Sequence, residues 1–498
     1  MAIEKWPDQV NVANQPTMKF PEEVFSSQRF REQGAAVIEL IANCMEESIS
    51  GKPNKVIEMT DPKSAMREVQ QWFDRCTVDD SKDVSKLFAD IYQRTIRLHH
   101  PGYLGHQISP PLPDAALASL FSDFLNNGMG VFEMGIAGTA IERFVVKSLA
   151  KKMGFPESAD GFLTSGGTLG NLTALLAARR AKAVGDVWES GVHRKTALLV
   201  SAQAHYCVDR SARVMGWGAE GVVKVPVKQD FTMDVEQLEL TLQTARAEGL
   251  EVIAVVGSAC STATGTFDDL EGIGAFCRQH GLWFHVDGAH GAASVYSKQY
   301  ADRVKGLHLA DSVVMDFHKL LMTPALATAV VFKEEKWAAK NFAQKAEYLW
   351  DDANHVDDWH DLAKRTFECT KSMIALKVFT ILAVHGERVF DENVTTLYRS
   401  ASEFGGILER AEDFELATLP QSNIVCFRFA PKGEHDLDSL NRKVREELLS
   451  TGEFYIVQTT LRGQVWLRTT IANPFTKISH FENLIDEIRR VGHRAFAD

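Results

Sequence analysis

His285-Val-Asp287-Gly-Ala289-His290, followed by Asp311-Ser-Val-Val-Met-Asp316-Phe-His318-Lys319, is the stretch whose reading decides the fold. Leu282 to Val286 is a short aromatic and β-branched run that ends on an acid and Gly-Ala, the pattern of a buried parallel strand whose C-terminal end meets a ligand. Ser312 to Met315 repeats the design, with Asp316, His318 and Lys319 just past its end. Taken singly, Asp287 reads as a helix cap or turn residue and Lys319 as a solvated lysine. Taken together, they place an acid and an amine at neighbouring strand ends.

Upstream, Gly161-Phe-Leu-Thr-Ser165-Gly166-Gly167-Thr168-Leu-Gly170-Asn171 runs into an Ala/Leu-rich helical stretch. A Gly-rich, hydroxyl-bearing turn of this kind offers free backbone N–H groups and the positive end of a helix dipole to an anion. No Lys follows the glycines, so it is not a Walker loop. A Lys for a carbonyl, an acid for a ring nitrogen and a phosphate cradle together fit pyridoxal phosphate, whose ring serves as an electron sink.

Between cradle and Lys319 the chain alternates: strands at 196–201, 221–227, 252–256, 282–286 and 312–315, helices at 209–215, 234–248 and 270–280. That rhythm predicts an α/β fold with a mostly parallel sheet and helices on both faces. Two strand ends carry further candidates, His205 in Ala204-His-Tyr-Cys207 and Thr262 in Gly257-Ser-Ala-Cys260-Ser-Thr. His205 alone reads as structural; beside the others it could lie flat on an aromatic cofactor.

The flanks are different. Residues 21–90 are helical in pattern without strands, and such helices need another surface to cover. Residues 99–113 are broken by prolines and glycines into an irregular segment that places His106, Gln107 and Ser109 as candidate substrate contacts. Residues 341–370 are mixed and polar, the composition of a functional or mobile loop. A smaller α+β unit closes the chain. The expected division is 1–96, a helical dimerisation segment; 97–375, a large cofactor-binding domain; and 376–498, the small domain.

Composition narrows the function. With 498 residues, 45% of them hydrophobic and 24% charged, the chain has enough apolar content for a sizeable core. A net charge of −12 leaves no basic excess for nucleic acid. Seven cysteines without a CxxC pair argue against a zinc site or disulfide framework. No apolar run reaches bilayer length, and Met1-Ala-Ile-Glu-Lys-Trp lacks a signal-peptide core, so no membrane partner and a cytoplasmic location are expected.

The chain resembles the group II pyridoxal-phosphate-dependent amino-acid decarboxylases, which include glutamate, cysteine sulfinate, aromatic and diaminobutyrate decarboxylases. The resemblance rests on His100-Pro-Gly-Tyr, Thr139-Ala-Ile-Glu142, Thr164-Ser-Gly-Gly-Thr168, Ala204-His205, His285-Val-Asp287-Gly-Ala289, Asp316-Phe-His318-Lys319 and Leu467-Arg-Thr-Thr-Ile-Ala-Asn473-Pro474, in order over most of the chain. It implies the aspartate-aminotransferase-like fold type I, pyridoxal 5'-phosphate as cofactor, decarboxylation of an amino acid, and a homodimer with a shared site. It further implies that Lys319 holds the cofactor covalently, Asp287 pairs with the ring nitrogen, His205 stacks over the ring and Ala289 packs beneath it. Gly167, Thr168 and His318 would surround the phosphate, and Thr262 would lie near the ring hydroxyl or the substrate.

The chain departs from the pattern at Ser258-Ala-Cys260, at Met134-Gly135 and at Gly288. In the family a loop Tyr protonates the substrate carbon; residues 341–370 contain one Tyr, Tyr348, at the loop's start, and His355 is the other candidate donor. Lys364 or Arg365 would read an acidic side chain if that loop closes. The rival readings are another fold type I activity, such as an aminotransferase or aldehyde synthase, and a binding scaffold without catalysis.

Overall fold

Two sheets of different character divide the chain in the computed structural model, which describes residues 20–78, 83–342, 358–434 and 436–497. The larger contains β1 (Asp160–Thr164), β2 (Thr196–Ser201), β3 (Val222–Val225), β4 (Glu251–Ser258), β5 (Trp283–Asp287), β6 (Ser312–Asp316) and β7 (Thr328–Phe332). Their spatial order is β1-β7-β6-β5-β4-β2-β3. The five strands from β6 to β3 are parallel, and β7 runs antiparallel to both β6 and β1.

Side-chain parity on these strands decides what reaches the site. Successive residues point to opposite faces, and both faces are buried under helices. Phe284 and Val286, Val313 and Met315 belong to one apolar layer. Trp283, Val314 and Val330 belong to the other, which is roofed by the helices Gly167–Lys182 and Tyr206–Val214. Counting on by two, Asp287 and Asp316 fall on the face of that second layer. The crossover helix between β4 and β5, Leu270–His280, begins where the Asp269 carboxylate accepts the Gly272 N–H at 3.0 Å and ends on Gly281 at φ +67°, so local signals alone bound it.

β1 is not announced by the sequence pattern. Gly161 to Thr164 read as the approach to the Gly-rich turn, whereas these residues pair with β7 in register Gly161↔Val331 and Leu163↔Ala329. Five residues buried on both sides carry no alternation to read. The glycine is required by the pairing, because a Cβ at Gly161 would sit 2.0 Å from the Val330 carbonyl oxygen. A buried ion pair anchors the strand further: Lys371 Nζ donates to Glu142 Oε1 and to the Leu163 carbonyl, and Glu142 Oε1 also accepts the Leu163 N–H at 3.1 Å.

The second sheet is antiparallel, β8 (Phe414–Leu416), β9 (Ile424–Phe429), β10 (Val457–Leu461) and β11 (Gln464–Thr470), in the order β10-β11-β9-β8. The helices Leu437–Thr451 and Ile478–Ala497 pack on it. The irregular segment after residue 97 is held against this unit: Tyr455 N–H donates to Gly102 O, Leu104 N–H to Tyr455 O, and Thr470 N–H to Leu104 O, all at 2.9–3.0 Å. This segment therefore brings Gln107 to the mouth of the large sheet.

Candidate active site

The parallel strand ends and the helix starting at Gly167 enclose a cavity of about 290 Å³. Lys319, Asp287, His205, His318, Gly167 and Thr168 line it, together with Thr262, Ala289 and Gln107. Nine of the residues singled out from sequence thus meet in one place. Lys319 Nζ lies 2.8 Å from Asp316 Oδ2, and His318 Nε2 lies 3.7 Å from the same oxygen. Burial works to lower the Lys319 pKa, but the Asp316 and Asp287 carboxylates outweigh it and hold the ammonium above its usual range.

His205 caps the helix Tyr206–Val214. Its Nδ1 accepts the Cys207 N–H at 3.3 Å, so a neutral ring carries its proton on Nε2. Burial lowers its pKa, partly opposed by Asp287. Asp287 Oδ1 accepts the Ala289 N–H at 3.3 Å, and its Oδ2 lies 4.0 Å from the Cys207 thiol. The ligand atoms of His205, Cys207 and Asp287 approach within 4.8 Å of one another. Burial and the nearby carboxylate push the thiol far up, which keeps it protonated and makes it a poor metal ligand.

The small sheet stands behind one wall. His290 Nε2 bonds Asn423 Oδ1 at 2.6 Å, and Asn423 Nδ2 donates to Ile471 O at 2.9 Å. Arg468, in the middle of β11, is 6% exposed, and its Nε and Nη2 have no partner among the described residues. Its charge acts on Cys260 and His290, both of which line the cavity. A buried unpaired guanidinium is costly unless an anion arrives. Arg468 was quoted above only as part of a motif; the available signal was a charge between apolar residues in a predicted strand.

Other expected contacts lie apart. His106 is exposed, its ring 5.8 Å from that of Tyr455, and Ser109 is buried with its hydroxyl unpartnered among the described residues. Arg365 does not face the cavity: its guanidinium bonds Asp160 at 2.5 Å and the Trp359 carbonyl at 3.1 Å, and Lys364 Nζ is 3.6 Å from Asp361. Both cations brace the C-terminal part of the 341–370 segment and do not line the cavity. Tyr348 and His355 lie outside the described residues.

The family profile described as "Pyridoxal-dependent decarboxylase conserved domain" matches residues 106–430. The chain belongs to this decarboxylase family. It is 26% identical over 471 residues to an aromatic-L-amino-acid decarboxylase of Bacillus atrophaeus, covering 93% of this chain and 95% of that protein. It is 29% identical over 424 residues to an L-2,4-diaminobutyrate decarboxylase of Acinetobacter baumannii, covering 82% and 83%. Among solved structures, the glutamate decarboxylase domain of a diaminobutyrate-pyruvate transaminase and L-2,4-diaminobutyrate decarboxylase from Vibrio parahaemolyticus superposes with a TM-score of 0.78 at 29% identity, over 93% of this chain and 96% of that one.

The decarboxylase therefore has the fold type I architecture expected from the resemblance, uses pyridoxal phosphate, and converts an amino acid to its amine and carbon dioxide. The residues fit the cofactor. A helix N-terminus without an acidic first turn stands at one end of the cavity, a strand-end carboxylate at the other, and a lysine amine reaches between them.

Three buried groups give the decarboxylase a defined response to acid. Burial lowers His285 to about 4 and His290 to about 3, so below pH ~6.5 the unfolded chain takes up protons that the folded chain cannot. Each then removes about 1.4 kcal/mol of stability per pH unit as pH falls. Asp268, raised by burial to about 6, acts in the opposite sense below that pH, but it is one group against two. Denaturation midpoints should fall between pH 7 and pH 5, and His290→Gln should lessen the fall. Midpoints that rise on acidification would contradict this.

Proposed function

We propose that the chain decarboxylates an amino acid with an acidic side chain, in a site shared between two subunits. The observation that carries the substrate reading is a pair of unpartnered donors. Gln107 Nε2 stands at the cavity and Arg468 behind it, neither with an acceptor among the described residues. A carboxylate satisfies both, whereas an ammonium side chain satisfies neither. His106 and Ser109 flank Gln107 on the same segment but do not line the cavity.

Pyridoxal phosphate supplies the electron sink for the pair left on Cα when carbon dioxide departs. The chain's own residues supply the rest. The N–H groups at Gly167 and Thr168 and the Thr168 hydroxyl, with His318, bind the phosphate at the positive end of the helix dipole. Lys319 provides the amine for the covalent link. Asp287 would hold a proton at the ring nitrogen, its carboxylate oriented by the hydrogen bond from Ala289 N–H. His205 and Ala289 would hold the ring between them, with Thr262 near its hydroxyl or the substrate. Arg468 and Gln107 would hold the side-chain carboxylate, which positions the substrate in the site. Tyr348 or His355 returns a proton to Cα, since both side chains can donate one.

A second copy of the chain is supported by apolar surface. Leu117, Leu120, Phe121 and Phe124 are each at least half exposed on the helix Pro113–Leu125, and Phe30 of the N-terminal helix Ser27–Ile49 meets Phe124 at 5.6 Å. Contiguous exposure on this scale marks an interface. The division at 1–96, 97–375 and 376–498 is supported by each sheet lying within one of the latter two spans. All seven cysteines are free thiols, which supports a cytoplasmic setting. Among the described residues no helix is long and apolar enough to cross a membrane.

Carbon dioxide release over an amino-acid panel should be greatest for aspartate or glutamate, absent in Lys319→Ala, and reduced in kcat/KM by about 10- to 100-fold in Arg468→Gln. Preference for 2,4-diaminobutyrate would overturn the acidic reading. Product analysis of Tyr348→Phe and His355→Gln should show amine loss in one of the two, and unchanged rates and products in both would remove the loop from the chemistry. Sedimentation should find a dimer that Phe121→Glu dissociates with loss of activity; a fully active monomer would exclude a shared site.

A further inference from the structure

Asp316 stands at the phosphate end of the cavity without a part in the mechanism above. Its Oδ1 accepts the Thr328 hydroxyl of β7, and its Oδ2 lies 2.8 Å from Lys319 Nζ and 3.7 Å from His318 Nε2. A Cβ on Gly167 would come within 3.2 and 3.3 Å of the two carboxylate oxygens. The carboxylate therefore lies against the first residue of the helix whose N–H groups are offered to the phosphate.

The charges around it are few. The helix contributes neutral Thr168 and Asn171 to the cavity, with Ser165 just before it; β5 contributes Asp287; Thr328 of β7 is neutral. His205, Cys207 and His290 are near enough for the Asp316 charge to act on them. Among the described residues lining the cavity, Lys319 is the one Lys or Arg. In the filled site its Nζ would make the covalent link, and a nitrogen so bonded keeps at most one N–H of the three that the ammonium offers Asp316. A phosphate carrying about two negative charges would then meet a buried carboxylate whose hold on its cation is weakened.

We propose that Asp316 sets cofactor retention: it closes the empty site by pairing with Lys319 and opposes the phosphate in the filled one, so that pyridoxal phosphate is held exchangeably. This rests on the reading that the Gly167 turn receives the phosphate. Asp316 is 1% exposed and is not a surface group whose charge water would screen.

The test uses the full chain stripped of cofactor, titrated at pH 8 with pyridoxal phosphate and with pyridoxal, which lacks the phosphate. Visible absorbance of the bound cofactor reports affinity and release rate. Asp316→Asn keeps an acceptor for the Thr328 hydroxyl, and Asp316→Ser is a second neutral variant should the first not fold. In both, pyridoxal phosphate should bind about tenfold more tightly or better and leave more slowly, with a smaller gain for pyridoxal. Unchanged or weaker pyridoxal phosphate binding in a folded variant would overturn the proposal, as would equal gains for the two ligands. Equal wild-type affinities for the two ligands would overturn the phosphate assignment of the Gly167 turn, and this proposal with it.

Discussion

The hydrogen bond of 2.8 Å between His285 Nε2 and Asn171 Oδ1 holds the two ends of the site at a fixed separation. His285 is fully buried on β5, and its Nδ1 contacts the Ser312 hydroxyl of β6 at 2.9 Å. Asn171 lies on the helix after the phosphate turn, and its Nδ2 donates to Gly167 O at 2.8 Å. The cradle and the strand that carries Asp287 are thus tied by a satisfied polar chain in a dry interior, where each member is costly to leave unpaired. Gly170 lets the same helix approach closely, since a Cβ there would come within 3.2 Å of Thr328, Val314 and Val330.

Around this brace the cavity gathers more charge than a core ordinarily tolerates. Asp287, Asp316, Lys319 and Arg468 are all drawn from water, and among the described residues the last has no counter-ion. Such a cluster costs stability in the empty protein, and it is the arrangement that a dianionic, zwitterionic ligand set would relieve. Proteins similar to it are named for substrates as different as aromatic amino acids and diaminobutyrate, so cofactor handling and substrate choice are separable. In the proposed reading the former sits on the large sheet, while the latter falls to the irregular segment at 102–109 and to β11.

Those two substrate elements are far apart in sequence and joined only by tertiary pairing. Tyr103 and Tyr455 stack with ring centroids 5.8 Å apart, and the backbone ladder between 102–104, 455 and 470 fixes Gln107 relative to Arg468. The His290–Asn423 bond performs the same task on the opposite side, linking the turn after β5 to β9. Movement of the small sheet would therefore alter the substrate wall before it disturbed Lys319 or Asp287.

Much of this was legible in the chain itself. Strand parity places Asp287 and Asp316 on one face, because period-2 alternation continues through His285-Val-Asp287 and Val314-Met-Asp316; the Gly-rich turn and the βαβ rhythm follow from local chemistry in the same way. The sequence did not reveal β1, whose five residues are buried on both faces and gain strand character only from pairing with β7. Nor did it reveal that Arg365, within the 341–370 segment, is committed to Asp160, while Arg468, some hundred residues later, is left without a partner among the described residues. Local pattern determines which residues can bear a charge or bond a backbone. Only the folded chain decides which charges find partners, because that depends on contacts between residues hundreds of positions apart.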